Sequence, residues 1–162
     1  MTKTAKPVDA GQRLDCEVPM RWGDMDAYGH VNNVEIVRLL EEGRIATFGP
    51  PGGTGRPGQE PQIPFFSDLP AGTQALVVEH RIKYLASVEY RNIPLKVQVW
   101  ISALKAASLT INYQIIDPVT ETTCVKAETA IALVSEDSGS LVRITSEQKE
   151  LIAPYVGDPV LG

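Results

Sequence analysis

Apolar and polar residues alternate with a period of two in five stretches of the chain. Leu14, Cys16, Val18 and Met20 interleave with Arg13, Asp15, Glu17 and Arg21. After Gly72 the same period returns four times. Leu76, Val78, His80, Ile82 and Tyr84 share one face, and Val77, Glu79, Arg81 and Lys83 the other. Leu95, Val97, Val99 and Ile101 alternate with Lys96, Gln98 and Trp100; Leu109, Ile111, Tyr113 and Ile115 with Thr110, Asn112 and Gln114; Val125, Ala127, Thr129, Ile131 and Leu133 with Lys126 and Glu128. Each run predicts a strand with one face against a core. The breaks between the last four are short, and Pro118 sits in a turn position, so an antiparallel meander is expected.

Between the first and second runs the period changes. From Val31 to about Phe48, Glu35, Arg38 and Glu42 fall on one narrow stripe of a helical wheel, opposite Ile36, Val37, Leu40, Gly43 and Phe48. Val31, Val34, Leu39, Ile45 and Ala46 carry apolar surface around most of the circumference, which predicts a helix enclosed by other structure. Gly and Pro dominate from Gly49 to Gly72, so a long loop follows, with Phe65 and Phe66 as anchors or as pocket lining. A last short helix is expected from Thr145, with Gln148 three residues on completing a capping box. Residues 1–12 are expected to be a disordered tail and 157–162 a loose one, leaving 13–156 as a single domain. The order predicts an α+β protein: a five-stranded antiparallel sheet wrapped around one long central helix. Such a sheet keeps its edges, and pairing across a two-fold axis would satisfy them, giving a homodimer or homotetramer.

Length and charge narrow the picture. The chain has 162 residues and a formal net charge of −5. One domain of this size builds a core without disulfide or metal staples, and an acidic chain lacks the basic footprint that nucleic acid requires. Cys16 and Cys124 are far apart, with no CxxC and no metal-ligand spacing, and read as reduced packed thiols. The start MTKTAKPVDAGQR has no apolar stretch, and no segment approaches membrane-spanning length. A cytoplasmic location, no membrane contact and no cofactor or metal are expected.

The chemistry concentrates in residues 21–33, RWGDMDAYGHVNN, directly before the helix. A helix N-terminus offers unpaired N–H groups and a positive dipole end, which suits an oxygen gaining negative charge. A carboxylate a few residues upstream can supply a nucleophile or a base from the same side. This string, followed by LLEEGR, resembles the hotdog-fold acyl-CoA thioesterases of the 4-hydroxybenzoyl-CoA thioesterase type. The resemblance runs from about Leu14 to Val134, with EHRIKYLASV and IPLKVQVWI similar to the family's second and third strands. Leu39-Leu40 and Gly43 depart from its usual helix.

The resemblance implies a hotdog fold and hydrolysis of an acyl-CoA, or acyl-carrier-protein, thioester. By motif position Asp26 is the catalytic aspartate, as nucleophile or general base, and the backbone amide of Asn33 faces the thioester oxygen. His30 is placed to orient Asp26 or touch substrate. Gly29 supplies a backbone conformation or a close approach, and Trp22 and Tyr28 form pocket wall or dimer packing. Asp24 is expected to hold the loop, Asn32 to fix it, and His80 to be a core histidine. Glu41 and Arg44 read as a helix ion pair, with Glu41 the catalytic acid only if the chain follows another hotdog branch. CoA phosphates call for cations, and Arg91, Lys105 and Arg56 are candidates. Two other functions fit the same residues. A hydratase or dehydratase acting on an enoyl thioester would use Asp26 with His30, although the spacing differs from that motif. A non-catalytic acyl-thioester binder would use the fold alone.

Overall fold

The computed structural model describes residues 11–51 and 60–161; Arg56 and the expected tail up to residue 10 lie outside the described residues. The chain runs through β1 (Leu14–Val18), a 3-10 turn at Trp22–Asp24, α1 (Asn33–Phe48), β2 (Thr73–Tyr84), β3 (Leu95–Ser102), β4 (Ser108–Ile116), β5 (Thr123–Ser135) and α2 (Ser146–Ile152). The strands form a five-stranded sheet in the order β1-β3-β4-β5-β2. Every neighbouring pair is antiparallel, as the short connections of the meander require.

The alternating pattern sets the register. Val18, Leu95, Val97, Ile115 and Val125 stand side by side on one face, as do Leu14, Val99, Tyr113 and Ala127. All of these lie in the core. The opposite face carries Trp100, Asn112 and Glu128 in a row.

Helix α1 lies on the core face. Asn32 caps it, its side-chain oxygen accepting from the Val34 amide at 3.0 Å, which satisfies one of the helix's open donors. The helix ends at Gly49, whose φ of +86° favours glycine. Ile36, Leu39, Leu40, Gly43, Arg44, Thr47 and Phe48 are buried, at spacings of three and four. The absence of a side chain at Gly43 brings the helix close to the sheet: an added Cβ would stand 3.3 Å from Val97 Cγ1. Here the expectation of an enclosed helix is corrected. Val34 is 71% exposed, and Arg38, Glu42 and Ala46 also face outward. The 16-residue helix rests one face on the sheet; its remaining apolar residues are too few to demand cover on the other side.

Phe65 and Phe66 resolve as anchors. Both are buried and stack edge-on with each other, and Phe66 does so with Phe48 at 5.9 Å between centroids. The expected faces of β2 hold only in part. A bulge between Val77 and Glu79 shifts the register, so Val77 is paired with Ile131 while His80, Ile82 and Tyr84 pair with Thr129, Ala127 and Val125.

The end of the chain, expected to be loose, is instead tied across the outer face of the sheet. Trp100 Nε1 donates to the Asp158 carbonyl at 2.8 Å, the Val160 amide to Asn112 Oδ1 at 2.9 Å and the Leu161 amide to Glu128 Oε1 at 3.2 Å. The row on that face supplies one donor and two acceptors to the tail. The Gln12 amide, at the other terminus, bonds the Pro154 carbonyl at 3.0 Å. Among the described residues no helix is long and apolar enough to cross a membrane.

Candidate active site

The stretch before α1 folds into a tight reversal. Met25 and Val31 bridge as an antiparallel pair, and the Asp26 amide donates to the His30 carbonyl at 2.7 Å. Inside that reversal Asp26 Oδ1 accepts two backbone amides, Tyr28 at 2.8 Å and His30 at 3.1 Å. This is the local bonding that short acids favour in turns. Gly29 carries φ +80° with open space around it, so its requirement is conformational, not one of clearance. Three bonds or bridges clamp the reversal to the segment after β2: Val31 N–H to the Val88 carbonyl at 2.7 Å, Tyr90 N–H to the Gly29 carbonyl at 3.3 Å, and His30 against Glu89.

Asp24 has a different job. It is buried, 1% exposed, and both of its oxygens are engaged. Oδ2 accepts the Arg21 amide at 2.7 Å, and Oδ1 accepts Arg21 Nε at 3.2 Å and Nη2 at 2.9 Å. The bond to Asp24, with Glu35 and Glu42 adding charge, raises the Arg21 guanidinium above its ordinary value. The Asp24 carbonyl also accepts the Asn32 amide at 2.8 Å. Asp24 thus fixes where the helix starts.

Two groups at this entrance remain open. Asp26 Oδ2 bonds no partner among the described residues, and neither does the backbone amide of Asn33. The amides after it are taken: Val34 by the Asn32 side chain, and Glu35 and Ile36 by the Asn32 carbonyl. Asp26, His30, Asn32, Asn33 and Ile36 line one cleft of about 490 Å³, closed on its other side by Tyr84–Val88. An acid with a free oxygen and an unpaired helix-end donor therefore border the same space.

The other candidate residues fall into three groups. His30 reaches the cleft, and its bond to Asp26 runs through its backbone rather than its ring. Tyr28 is 84% exposed and, with Gly29, belongs to the reversal rather than the cleft wall. Arg91 is paired with Glu89 at 3.1 Å and Asp117 at 2.9 Å. The Asp117 bond raises the Arg91 guanidinium. Burial pushes the Asp117 carboxyl upward, but the amides of Thr120 and Val119 together with Arg91 outweigh this and hold it below its usual value. Lys105 lies in the β3–β4 turn. Because the meander reverses at every strand, that turn is at the end of the sheet opposite Tyr84 and the cleft, which corrects its assignment as a cleft cation.

Glu41 is away from the cleft. It pairs with Arg38 at 2.6 Å and Arg44 at 3.6 Å, while the buried Arg44 donates to the Tyr113 hydroxyl at 3.0 Å. His80, expected in the core, is instead exposed on edge strand β2, where only one neighbouring strand covers it; its Nδ1 bonds Thr129 Oγ1 at 2.9 Å. The wall from Tyr84 to Val88 was not foreseen as part of a site: Tyr84 was expected on a strand face and the residues from Ala86 on in a short break. The signal was Val88, an apolar residue stranded between polar ones and buried here.

A five-stranded antiparallel sheet with a helix on its core face, and an acid beside that helix's open end, defines a class able to polarise and attack a carbonyl. The chain matches the model of the thioesterase-like superfamily over residues 20–152, and it belongs to that family. No curated protein matches it in sequence. Among solved structures it is similar to the PA5185 protein from Pseudomonas aeruginosa, at 20% identity and TM-score 0.70, covering 94% of this chain and 98% of that one. It is also similar to a DHNA-CoA thioesterase from Staphylococcus aureus, at 15% identity and TM-score 0.69 over 87% and 89% of the two chains. A third is Slr0204, a 1,4-dihydroxy-2-naphthoyl-CoA thioesterase from Synechocystis, at 13% identity and TM-score 0.67 over 88% and 96%.

Proposed function

We propose that this protein hydrolyses an acyl-CoA thioester to free acid and CoA, with Asp26 as the catalytic carboxylate and the Asn33 amide as an oxyanion donor. One observation carries the reading: the free oxygen of Asp26 and the unpaired amide of Asn33 border one cleft. A thioester carbonyl set between them turns its oxygen to the helix end. As the carbon becomes tetrahedral, the growing negative charge meets the Asn33 N–H and the positive end of α1. Asp26 acts from the other side. As base, it takes a proton from a water whose oxygen attacks the carbon; as nucleophile, it forms an acyl anhydride that water then opens. Either way the C–S bond breaks and the thiolate leaves with a proton from solvent.

The reversal serves this task physically. Two amides fix Oδ1, so the carboxylate cannot rotate and Oδ2 keeps one direction. The hotdog arrangement and a cytoplasmic location belong to the same reading. So does a homodimer, because edge strand β2 exposes Leu76, Val77, Val78 and Tyr84, an apolar edge that pairing would cover.

Free-thiol release over short, long and aromatic acyl-CoAs tests the reading, run beside Asp26→Asn. Aromatic substrates head the panel because one of the similar structures is named for 1,4-dihydroxy-2-naphthoyl-CoA. Thiol release that Asp26→Asn suppresses supports it; release at the parental rate in that variant overturns the role of Asp26.

A further inference from the structure

We infer that the Ser87 hydroxyl is a second oxyanion donor, reaching the same carbonyl oxygen as the Asn33 amide from the other wall of the reaction cleft. The inference rests on the proposed thioesterase function and deepens it, by adding a catalytic residue that neither the motif nor the helix end supplies.

The register of the clamp around the reversal places this hydroxyl. His30 bridges Glu89 as an antiparallel pair, and the Val31 amide donates to the Val88 carbonyl at 2.7 Å. One step further in the same register sets Asn32 opposite Ser87. Directly opposed residues of an antiparallel pair send their side chains to one face, with Cα atoms about 4.5–5.5 Å apart. Val31 and Val88 turn to the other face and are buried. Asn32 and Ser87 turn to the cleft, which both line. The Asn33 nitrogen is joined to the carbonyl carbon of Asn32, so the open amide and the hydroxyl flank one small space. An oxygen placed there can accept from both at about 2.7–3.0 Å. A carbonyl oxygen has two lone pairs; a single amide uses one and leaves the other for the hydroxyl.

Ser87 is both uncommitted and held. Its hydroxyl bonds no partner among the described residues. It lies in a link outside helix and strand, yet that link is fixed on either side. The Leu85 and Ala86 amides share the Cys124 carbonyl at 2.8 and 3.1 Å, and Val88 is bonded to Val31 and buried. A donor fixed before the reaction needs no reorganisation when charge appears, which is what makes it effective. The hydroxyl keeps its proton throughout. As water or Asp26 adds to the carbonyl carbon, the π electrons move onto oxygen, and the contacts from Asn33 N–H and Ser87 O–H strengthen. When the C–S bond breaks, its electron pair leaves with sulfur, the carbonyl re-forms and both contacts relax.

Ser87→Ala removes the donor and Ser87→Thr keeps it, both in the full chain. Thiol release from hexanoyl-CoA and benzoyl-CoA gives kcat and KM. Infrared spectra of the same thioesters, labelled at the carbonyl and bound to the Asp26→Asn protein, give the C=O stretch before cleavage. In Ser87→Ala kcat falls by about 10²-fold, the scale for one lost oxyanion donor. KM changes little, because the donor acts mainly on the charged transition state. Adding Ser87→Ala to Asp26→Asn moves the bound C=O stretch to higher frequency, and threonine restores both readouts. The hydroxyl bonds nothing in the free protein, so the melting temperature stays in place, which separates this role from a structural one. An unchanged kcat and stretch in Ser87→Ala overturns the second donor and leaves Asp26 and Asn33 standing. A lower kcat with an unchanged stretch assigns the hydroxyl to the attacking water and overturns its oxyanion role. A protein that hydrolyses neither thioester, yet whose bound carbonyl responds to Ser87→Ala, keeps the donor and overturns the hydrolysis.

Discussion

At the entrance of α1, Asp26 keeps one oxygen and Asn33 one amide without a partner among the described residues. Three turns further along the same helix, Arg44 donates to Tyr113 and faces Glu41, and Glu41 is shared with Arg38. No buried side-chain polar atom among the described residues is left unsatisfied. Both regions place charge beside an apolar core, but only the entrance holds capacity in reserve. A group whose bonds are all made inside the protein contributes to stability and has nothing left for a substrate. Open bonding capacity facing a cleft, and not charge as such, separates a reaction site from a structural network.

The largest effect that sharpens this contrast falls on Asp26. Asp26→Asn lowers kcat by about 10²–10⁴-fold, the range for a positioned proton-transfer group. Its melting temperature stays near the parental value, because an amide oxygen still accepts from Tyr28 and His30. Thiol release and a thermal melt on one preparation check both halves. A collapse in stability that accounts for the lost activity would erase the distinction between the two regions.

Asp24 is the internal control, two residues away and fully bonded. Asp24→Ala costs about 1.5–3 kcal/mol of stability, the scale for bonds that involve a charged group, since it frees the Arg21 amide and guanidinium. Denaturant unfolding measures it. The remaining folded enzyme loses far less kcat than Asp26→Asn does, since the Asp24 side chain bonds Arg21 and its contact with the cleft residue Asn32 runs through the backbone carbonyl, which alanine keeps. A kcat loss equal to that of Asp26→Asn would move Asp24 into the chemistry.

At the middle of the helix, Tyr113→Phe removes the acceptor of a buried guanidinium. The cost is about 1–2 kcal/mol, within the range for a buried donor left unpaired, and moderated because Glu41 still faces Arg44. Chemical denaturation detects the loss, and kcat stays at the parental level. A changed kcat with unchanged stability would show that the network reaches the cleft.

These outcomes bear on what the sequence could reveal. The strands were legible because their period is two and one face is buried: Val97, Val99, Ile115 and Val125 lie where alternation places them. The entrance was legible because acids, glycine and asparagine occur together at a helix start, and each makes a short-range bond. What failed to show was long-range or backbone-borne. The bulge at Val77/Glu79 leaves no mark in residue type. The tail's partners, Asn112 and Glu128, sit at positions that alternation reads as solvent-facing, and Trp100 on that same face was the one available hint. Lys105 was a different failure. An antiparallel meander already dictates which turns share an end, so its distance from the cleft followed from the predicted strand order. The enclosure of α1 was over-read because Val34 and Ala46 are apolar, although one apolar stripe is enough to seat a helix on a sheet.

His80 gives the smallest and most selective test, because it lies where the helix network meets edge strand β2. Burial, and then the positive charge of Arg44, lower its pKa below the ordinary imidazole value, while Glu41 works the other way. The ring bonds Thr129 on β5. In the native state His80 therefore takes up a proton less readily than in the unfolded chain, so the unfolded chain binds more protons in the window below about pH 6.5. Stability associated with neutral His80 is fully present above that pH and is lost as pH falls through the folded value. Below the folded value the deficit is constant. His80→Gln removes this titration and keeps a polar partner for Thr129. The parental melting temperature should thus fall more steeply than that of the variant between pH 7 and pH 5, with the carboxylates contributing equally to both. Parallel curves would mean that the histidine titrates alike folded and unfolded, and that the Arg44 network stops short of β2. A steeper variant would reverse the sign, and with it the assignment of Arg44 over Glu41 as the stronger neighbour.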